Sequence, residues 1–373
     1  MSEVIRTVRS DEREALERLL ERCYGASWGA FGRWGPDLLR DDEEAMRYHL
    51  VLEADGRLAA HVGGYPLEIV MGPSRVMAAG VGGVGTHPDA RGKGHMSRLL
   101  EASLLRWREW GWRLSALWGD RQRYGSFGWE TCGLKYTATL TRRSLERNGI
   151  RPAEVEEVGP RDPAVAARLR ALHATLDYRV ERPHFDLQLS REGVRVLLGP
   201  DGYLLSRGDY GDLRVSEIVS PTRREPELIL GAMNRVFADS AHLDFGLGER
   251  ERLARAIAAM SGWQLGTQGM LRIVDWPGLL RDLRPLLASR AVGLAPFCVC
   301  IGCRWREETE WATVEWDGAA LSTEARRVGD GTEIELPTLT GLVLGSPHPV
   351  PPALGAFASL LPIPVHVPAL DRV

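Results

Sequence analysis

Six residues carry the most chemistry for their length. Arg91-Gly92-Lys93-Gly94-His95-Met96 lies between the strand-like VGGVGTHP and a helix-like run that opens with Ser97. A helix that starts directly after a strand presents unpaired backbone amides and the positive end of its dipole, and closely spaced glycines let an anion approach the backbone. Arg91 and Lys93 add charge. The spacing is neither the Walker phosphate loop nor the dinucleotide G-x-G-x-x-G fingerprint. It reads as a phosphate cradle of another kind or, more simply, as a charged surface turn. His87, before Pro88, can serve as a base or as a cap. Cys298, Cys300 and Cys303 alternate within FCVCIGC as small apolar fillers of a buried strand do; with no fourth ligand nearby, no metal site is expected.

These residues need a frame. Ala15, Leu16, Leu19, Leu20 and Cys23 repeat at helical spacing near the start. A hairpin follows: HLVLEA, the turn pair Asp55-Gly56, and RLAAHVGGYPLEIVMG, with a third strand over 76–84. Met96, Leu99, Leu100, Ser103, Leu104, Trp107 and Trp110 form one helical stripe that Gly111 stops. A short strand over 114–118 and a turn or short helix over 122–127 complete the pattern. After NGIRPAEVEEVGPRDP, rich in turn formers, the order returns: a helix over 163–176, strands around the turn Asp201-Gly202 and through YLLSRGDYGDLRVSEIVS, a helix near 228–237, the strand HLDFGL and a helix ending at Met260. This is an internal structural repeat without sequence identity. The second copy has PTRREPELIL where the first has the glycine loop, so only the first half is expected to bind a phosphorylated cofactor. The remainder alternates short strands and helices and ends in the proline-rich PIPVHVPALDRV. The expected division is 1–147, 148–276 and 277–373, in an α/β (α+β) class with mixed sheets flanked by helices.

Composition narrows the function. The 373 residues carry 47 Lys+Arg against 50 Asp+Glu, a formal charge of −3, which offers no broad positive field for nucleic acid. The charged start lacks a signal-peptide core and no segment has membrane-spanning length, so a cytoplasmic protein without membrane partners is expected. Five cysteines, an odd number, fit reduced thiols. Of twelve tryptophans, Trp28 and Trp34 flank Phe31 in YGASWGAFGRWGPDLL, where they either fill a core or line a pocket.

The glycine loop resembles motif A of the GCN5-related N-acetyltransferases (GNAT), and RYGSFGW, with Tyr124, Phe127, Gly128 and Trp129, resembles a second signature of that family. In the family the loop binds the pyrophosphate of acetyl-coenzyme A, and the preceding strand, splayed by a bulge, offers backbone groups to the pantetheine arm. The resemblance therefore implies acetyl-coenzyme A as cosubstrate, no metal, and contacts from Val84, Gly85, Thr86, Arg91, Gly92, Lys93, Gly94, His95, Met96 and Ser97. Met96 replaces the usual Gly or Ala. A bulky apolar residue there, the doubled plan, MLRIVDWPGLL and LPTLTGLVLGS before the proline-rich end look like the Eis-like branch. That branch implies tandem GNAT folds and a C-terminal domain similar to sterol carrier proteins. It also implies an acceptor pocket lined by Trp28, Phe31, Trp34 and Asp275, and a homo-oligomer, a hexamer of paired trimers. Asp275 can equally be a helix cap.

The same resemblance assigns the acid to Tyr124 and the base to the terminal carboxylate of Val373. The expected reaction is acetyl transfer to an amine of a small cationic molecule or a lysine side chain, in a ternary complex without an acyl-enzyme. Asp371 or Arg372 can take the electrostatic role of Val373, and a frayed tail is the ordinary fate of a terminus. Two other classes remain open: a coenzyme A-binding regulator with little turnover, and a carrier of apolar ligands.

Overall fold

The computed structural model describes residues 3–207, 211–346 and 352–373. Residues 208–210 of the expected strand stretch YLLSRGDYGDLRVSEIVS lie outside the described residues. The chain opens with β1 (Glu3–Thr7), α1 (Arg13–Tyr24), α2 (Ala30–Trp34), α3 (Glu43–Met46), β2 (His49–Ala54), β3 (Arg57–Met71), β4 (Ser74–Thr86), α4 (His95–Glu109), β5 (Leu114–Leu117), α5 (Arg121–Tyr124) and β6 (Glu130–Thr141). The hairpin turn is as expected: Asp55 and Gly56 take φ of 50° and 76°, the mirror-image turn whose twist matches the strands it joins. In α1, Leu16, Leu19 and Leu20 are buried, and Gly25 ends the helix at φ 65°. In α4 the buried residues include Leu99, Leu100, Ser103 and Trp107.

The order then repeats with α6 (Arg142–Arg147), β7 (Glu156–Val158), α7 (Pro163–His173), β8 (Tyr178–Val180), α8 (Phe185–Leu189), β9 (Arg195–Leu198), β10 (Tyr203–Arg207), β11 (Asp212–Val219), α9 (Glu225–Val236), β12 (Ser240–Gly246), α10 (Arg250–Ile257) and β13 (Ser261–Ile273). The two halves do not form separate sheets. One 13-stranded sheet runs β1-β2-β3-β4-β5-β13-β6-β12-β11-β10-β9-β7, with β8 beside β3. Its joint is β13, which pairs antiparallel with β5 through Met270–Ile273 and with β6 along most of its length. MLRI lies at the end of the expected second unit, 148–276. Those residues instead complete the first half's sheet, because Met270, Leu271 and Ile273 alternate faces between two neighbouring strands.

The last region holds α11 (Trp276–Ala291), β14 (Phe297–Trp305), β15 (Glu308–Trp316), β16 (Leu321–Glu324), β17 (Thr332–Glu335) and α12 (Leu336–Leu344), with a four-stranded sheet β16-β15-β14-β17. Along β4, Ala78 packs with Leu279, Leu283 and Leu287 of α11, and its neighbour Ala79 packs with Leu99, Leu100 and Trp107 of α4. Period-two alternation thus buries both faces of the first sheet, one under α4 and the other under the last region. The three cysteines lie on β14, with Cys298 exposed and Cys300 and Cys303 buried. No helix among the described residues is long and apolar enough to cross a membrane.

Three histidines are enclosed and held neutral. Burial pushes His49 down to about 4 and His61 and His366 to about 3. In the unfolded chain such rings take a proton below about pH 6.5, while the native rings do not until pH 3–4, so acid favours unfolding across that window. The free energy of unfolding is expected to fall between pH 7 and 5, by up to roughly 2 kcal/mol per ring at pH 5, and the urea midpoint to fall with it. A midpoint that stays constant over that range rules out three buried neutral rings.

Candidate active site

β4 pairs with β5 through Ala78–Gly80; β5 ends at Leu117 while β4 runs on to Thr86, so the β4 edge beyond Gly80 has no β5 pairing. On its other edge the pairing with β3 slips by one residue near Gly83, where φ is 62°. The bulge lies just before Val84, Gly85 and Thr86, the end of the strand that leads into the glycine loop. The Tyr24 hydroxyl donates to the Val84 carbonyl at 2.9 Å. The sequence reading did not select Tyr24, which sits at the ordinary end of an amphipathic helix.

Gly92 and Gly94 take φ of 76° and 74°, and a Cβ on either would meet nothing within 4 Å. Gly94 is the N-cap of α4, so the first amides of the helix open over an exposed loop bearing Arg91 and Lys93. This open cradle suits a pyrophosphate. His95 contributes there only through its backbone: its ring is buried, 3.9 Å from Glu3 on β1. Met96 packs against the core beside Leu99, which explains a bulky residue at a position where Gly or Ala is usual. The Nδ1 of His87 accepts from the Asp89 amide at 3.3 Å, a cap on the turn before the loop. In the second half the corresponding helix start is filled from within. Glu225, in the first turn of α9, is buried and paired with Arg252.

Replacing Gly94 with Val is expected to weaken acetyl-coenzyme A binding at least about tenfold, since a β-branched residue is strained at that φ and its bulk meets the phosphates. Changes over 221–225 are expected to leave binding intact. Isothermal titration decides, and normal affinity in the Gly94 variant refutes the cradle.

Tyr124 ends α5 with its ring buried. It packs against Gly119, where a Cβ would come within 2.4 Å, and edge-on to Trp129 at 6.3 Å between centroids. Burial raises the phenol pKa, opposed by Arg123. The group is therefore protonated at neutral pH and able to donate.

Val373 lies in a pocket of about 260 Å³ with Phe31, Trp34, Leu38, Leu39, Tyr65, Gly82, Gly83 and Arg191. A Cβ on Gly82 would come within 2.7 Å of the Val373 carboxyl carbon, and one on Gly80 within 2.9 Å of its side chain. Two arginines hold the approach. Arg182 grips Asp371 through two contacts of 2.8 Å and Glu217 through 2.9 and 2.7 Å. Arg191 grips Asp37 at 2.8 and 2.7 Å and donates to the carbonyls of Leu370 at 2.6 Å and Arg372 at 3.0 Å. Asp371 is thus committed to Arg182, while the Arg372 guanidinium lies over the Trp118 ring at 5.3 Å. The tail is anchored rather than frayed.

Two expected pocket residues stand elsewhere. Trp28 is 56% exposed, outside the pocket, with Arg18 over its ring. Asp275 caps α11 by accepting from the Gly278 amide at 3.0 Å and pairs with Arg113, so the capping alternative describes it. Phe31 and Trp34 do line the pocket, ring against ring at 5.1 Å.

With this geometry in place, comparison with known proteins is informative. Residues 4–132 match the family model described as an acetyltransferase (GNAT) domain. This part of the chain is an N-acetyltransferase domain, and acetyl-coenzyme A is the donor such domains use. The whole chain resembles solved structures in fold. A conserved protein of Enterococcus faecalis, of unknown function and described as a probable N-acyltransferase, is 16% identical, with a TM-score of 0.72 over 92% of this chain and 90% of its own. A GCN5-related N-acetyltransferase from Kribbella flavida is 21% identical, with a TM-score of 0.69 over 93% and 91%. Eis1 from Mycobacterium abscessus is 18% identical, with a TM-score of 0.63 over 92% and 90%. No curated protein matches the chain.

Proposed function

We propose that this chain transfers the acetyl group of acetyl-coenzyme A to an amine of a small cationic molecule or a lysine side chain, in the cytosol and within the Eis-like branch. Its last region is read as sterol-carrier-like. The observation that carries the reading is the seat of Val373, in an aromatic-walled pocket against the bulged part of β4. The acceptor arrives as an ammonium ion and must lose a proton before its lone pair can attack. The Val373 carboxylate takes that proton, directly or through water. The nitrogen lone pair forms the carbon–nitrogen bond as the carbon–sulfur pair leaves with sulfur, backbone amides of the β4 bulge steady the carbonyl oxygen, the Tyr124 hydroxyl gives its proton to the departing thiolate, and the second proton of the acylated nitrogen returns through water to the Tyr124 phenolate.

Thiol release measured over a panel of amines, after isothermal titration with acetyl-coenzyme A, tests the proposal. Binding without turnover on any amine would replace it with a regulatory role. The assembly proposed is a hexamer of paired trimers, and a single-chain mass by light scattering at micromolar concentration excludes it.

A further inference from the structure

Behind the acceptor pocket two buried imidazoles form a rod. Nε2 of His49 lies 3.0 Å from the Leu38 carbonyl, its Nδ1 lies 3.0 Å from Nε2 of His61, and Nδ1 of His61 lies 2.7 Å from the Gly83 carbonyl. Leu38 and Gly83 both line the pocket that holds Val373. We propose that His49 and His61 act as a positioning strut for acetyl transfer, tying the Leu38 wall to the Gly83 bulge and so setting the shape of the acceptor pocket. This rests on the acetyl-transfer reading above.

Counting protons sharpens the inference. Both end carbonyls only accept, so the two end contacts use one N–H from each ring. Two neutral rings have no third N–H, and the central nitrogens then face each other as lone pairs. The Tyr65 hydroxyl, 3.5 Å from Nδ1 of His49, is the donor at hand, and Tyr65 itself lines the pocket. The neutral strut is therefore anchored at both ends and one proton short in the middle. A single added proton, shared between the rings, completes it; a second has no acceptor.

Among the described residues, the charged and titratable groups on the elements packed around the pair come from α1 and the pocket side. Tyr24, Cys23, Glu17 and Glu21 come from α1. The Asp37–Arg191 pair and the Val373 carboxylate stand on the pocket side with Tyr65. Glu17 and Glu21 are taken up by the amides of Gly32 and Gly29. Gly83 has no spare room either, since a Cβ there would lie 3.0 Å from the His61 ring and 3.3 Å from Leu20.

The test combines spectroscopy and kinetics on the full chain. Nitrogen-15 spectra of histidine-labelled protein are expected to show hydrogen on His61 Nδ1 and His49 Nε2 at neutral pH, with the two rings taking up one proton together as pH falls. Independent titration of the rings, or a bare His61 Nδ1, overturns the strut even if the variants fail to fold. In His61→Leu the strut loses its Gly83 joint. Its kcat is expected to fall about 30-fold and its acceptor KM to rise about tenfold, with acetyl-coenzyme A affinity within about threefold. His61→Asn, whose amide can still donate toward Gly83, is expected to recover most of both losses. A folded His61→Leu enzyme with unchanged kcat and acceptor KM, or an Asn variant no better than Leu, overturns the proposal. If the wild type acetylates no amine, the acetyl-transfer reading fails, and the spectra still decide whether the strut exists.

Discussion

Adding a short Gly-Ser tail after Val373 is expected to reduce turnover by about 100-fold or more while leaving acetyl-coenzyme A affinity within about twofold, because a lost general base alone costs on the order of 10²–10⁴ in rate. The extension turns the terminal carboxylate into an amide that cannot take a proton, and it forces further residues into a pocket of about 260 Å³. Folding is expected to survive, since the tail's grip lies upstream, in Arg182 on Asp371 and Arg191 on the carbonyls of Leu370 and Arg372. Gly82→Ala attacks the same group from the strand side, as its Cβ would stand 2.7 Å from the Val373 carboxyl carbon. Deleting Val373 should match the extension in kinetics. Full activity in the extended enzyme removes the carboxylate from the mechanism and leaves a bound water or another pocket group as base.

Tyr124→Phe is the second large effect. It is expected to lower kcat about 10²- to 10³-fold and to change acetyl-coenzyme A affinity by less than about threefold, since a general acid acts mainly in the transition state. The ring stays: its contacts with Gly119 and Trp129 are made by carbon, so Phe preserves the packing and removes only the hydroxyl. Because burial raises the phenol pKa, the acid is present throughout the neutral range. The loss should therefore be the same at pH 7 and pH 8.5. Equal losses in kcat and affinity would recast Tyr124 as a residue that binds the cofactor.

Much of this site could be read in the residues themselves. The glycine loop, the helix it opens, the Asp55-Gly56 hairpin and the RYGSFGW string are local patterns. Their geometry is set by φ preferences, cap chemistry and spacing over a few positions, which a sequence displays directly. The same locality is why the absence of glycine in PTRREPELIL could be read directly. What misled was also local. Asp275 and Trp28 have suitable residue types, but a carboxylate two residues before a proline caps a helix as readily as it lines a pocket, and Trp28 stands in the exposed turn before α2.

The remainder depended on meetings between distant segments. β13 enters the sheet between β5 and β6 more than 100 residues after either, and nothing in MLRI names its neighbours; only the burial of both sheet faces does. His49 and His61 looked like unremarkable members of two alternating strands until the antiparallel register placed their rings 3.0 Å apart, behind the same pocket wall. The seat of Val373 rests on Arg182, Arg191 and Asp37, which lie 150 to 190 residues from one end or the other of the contacts they make. Sequence alone determined where a glycine-bearing loop opens a helix start, because that geometry belongs to a few consecutive residues. Tertiary structure decided which base meets which acid, because an ion pair or a hydrogen bond depends on the distance between side chains, and the chain's order does not contain that distance.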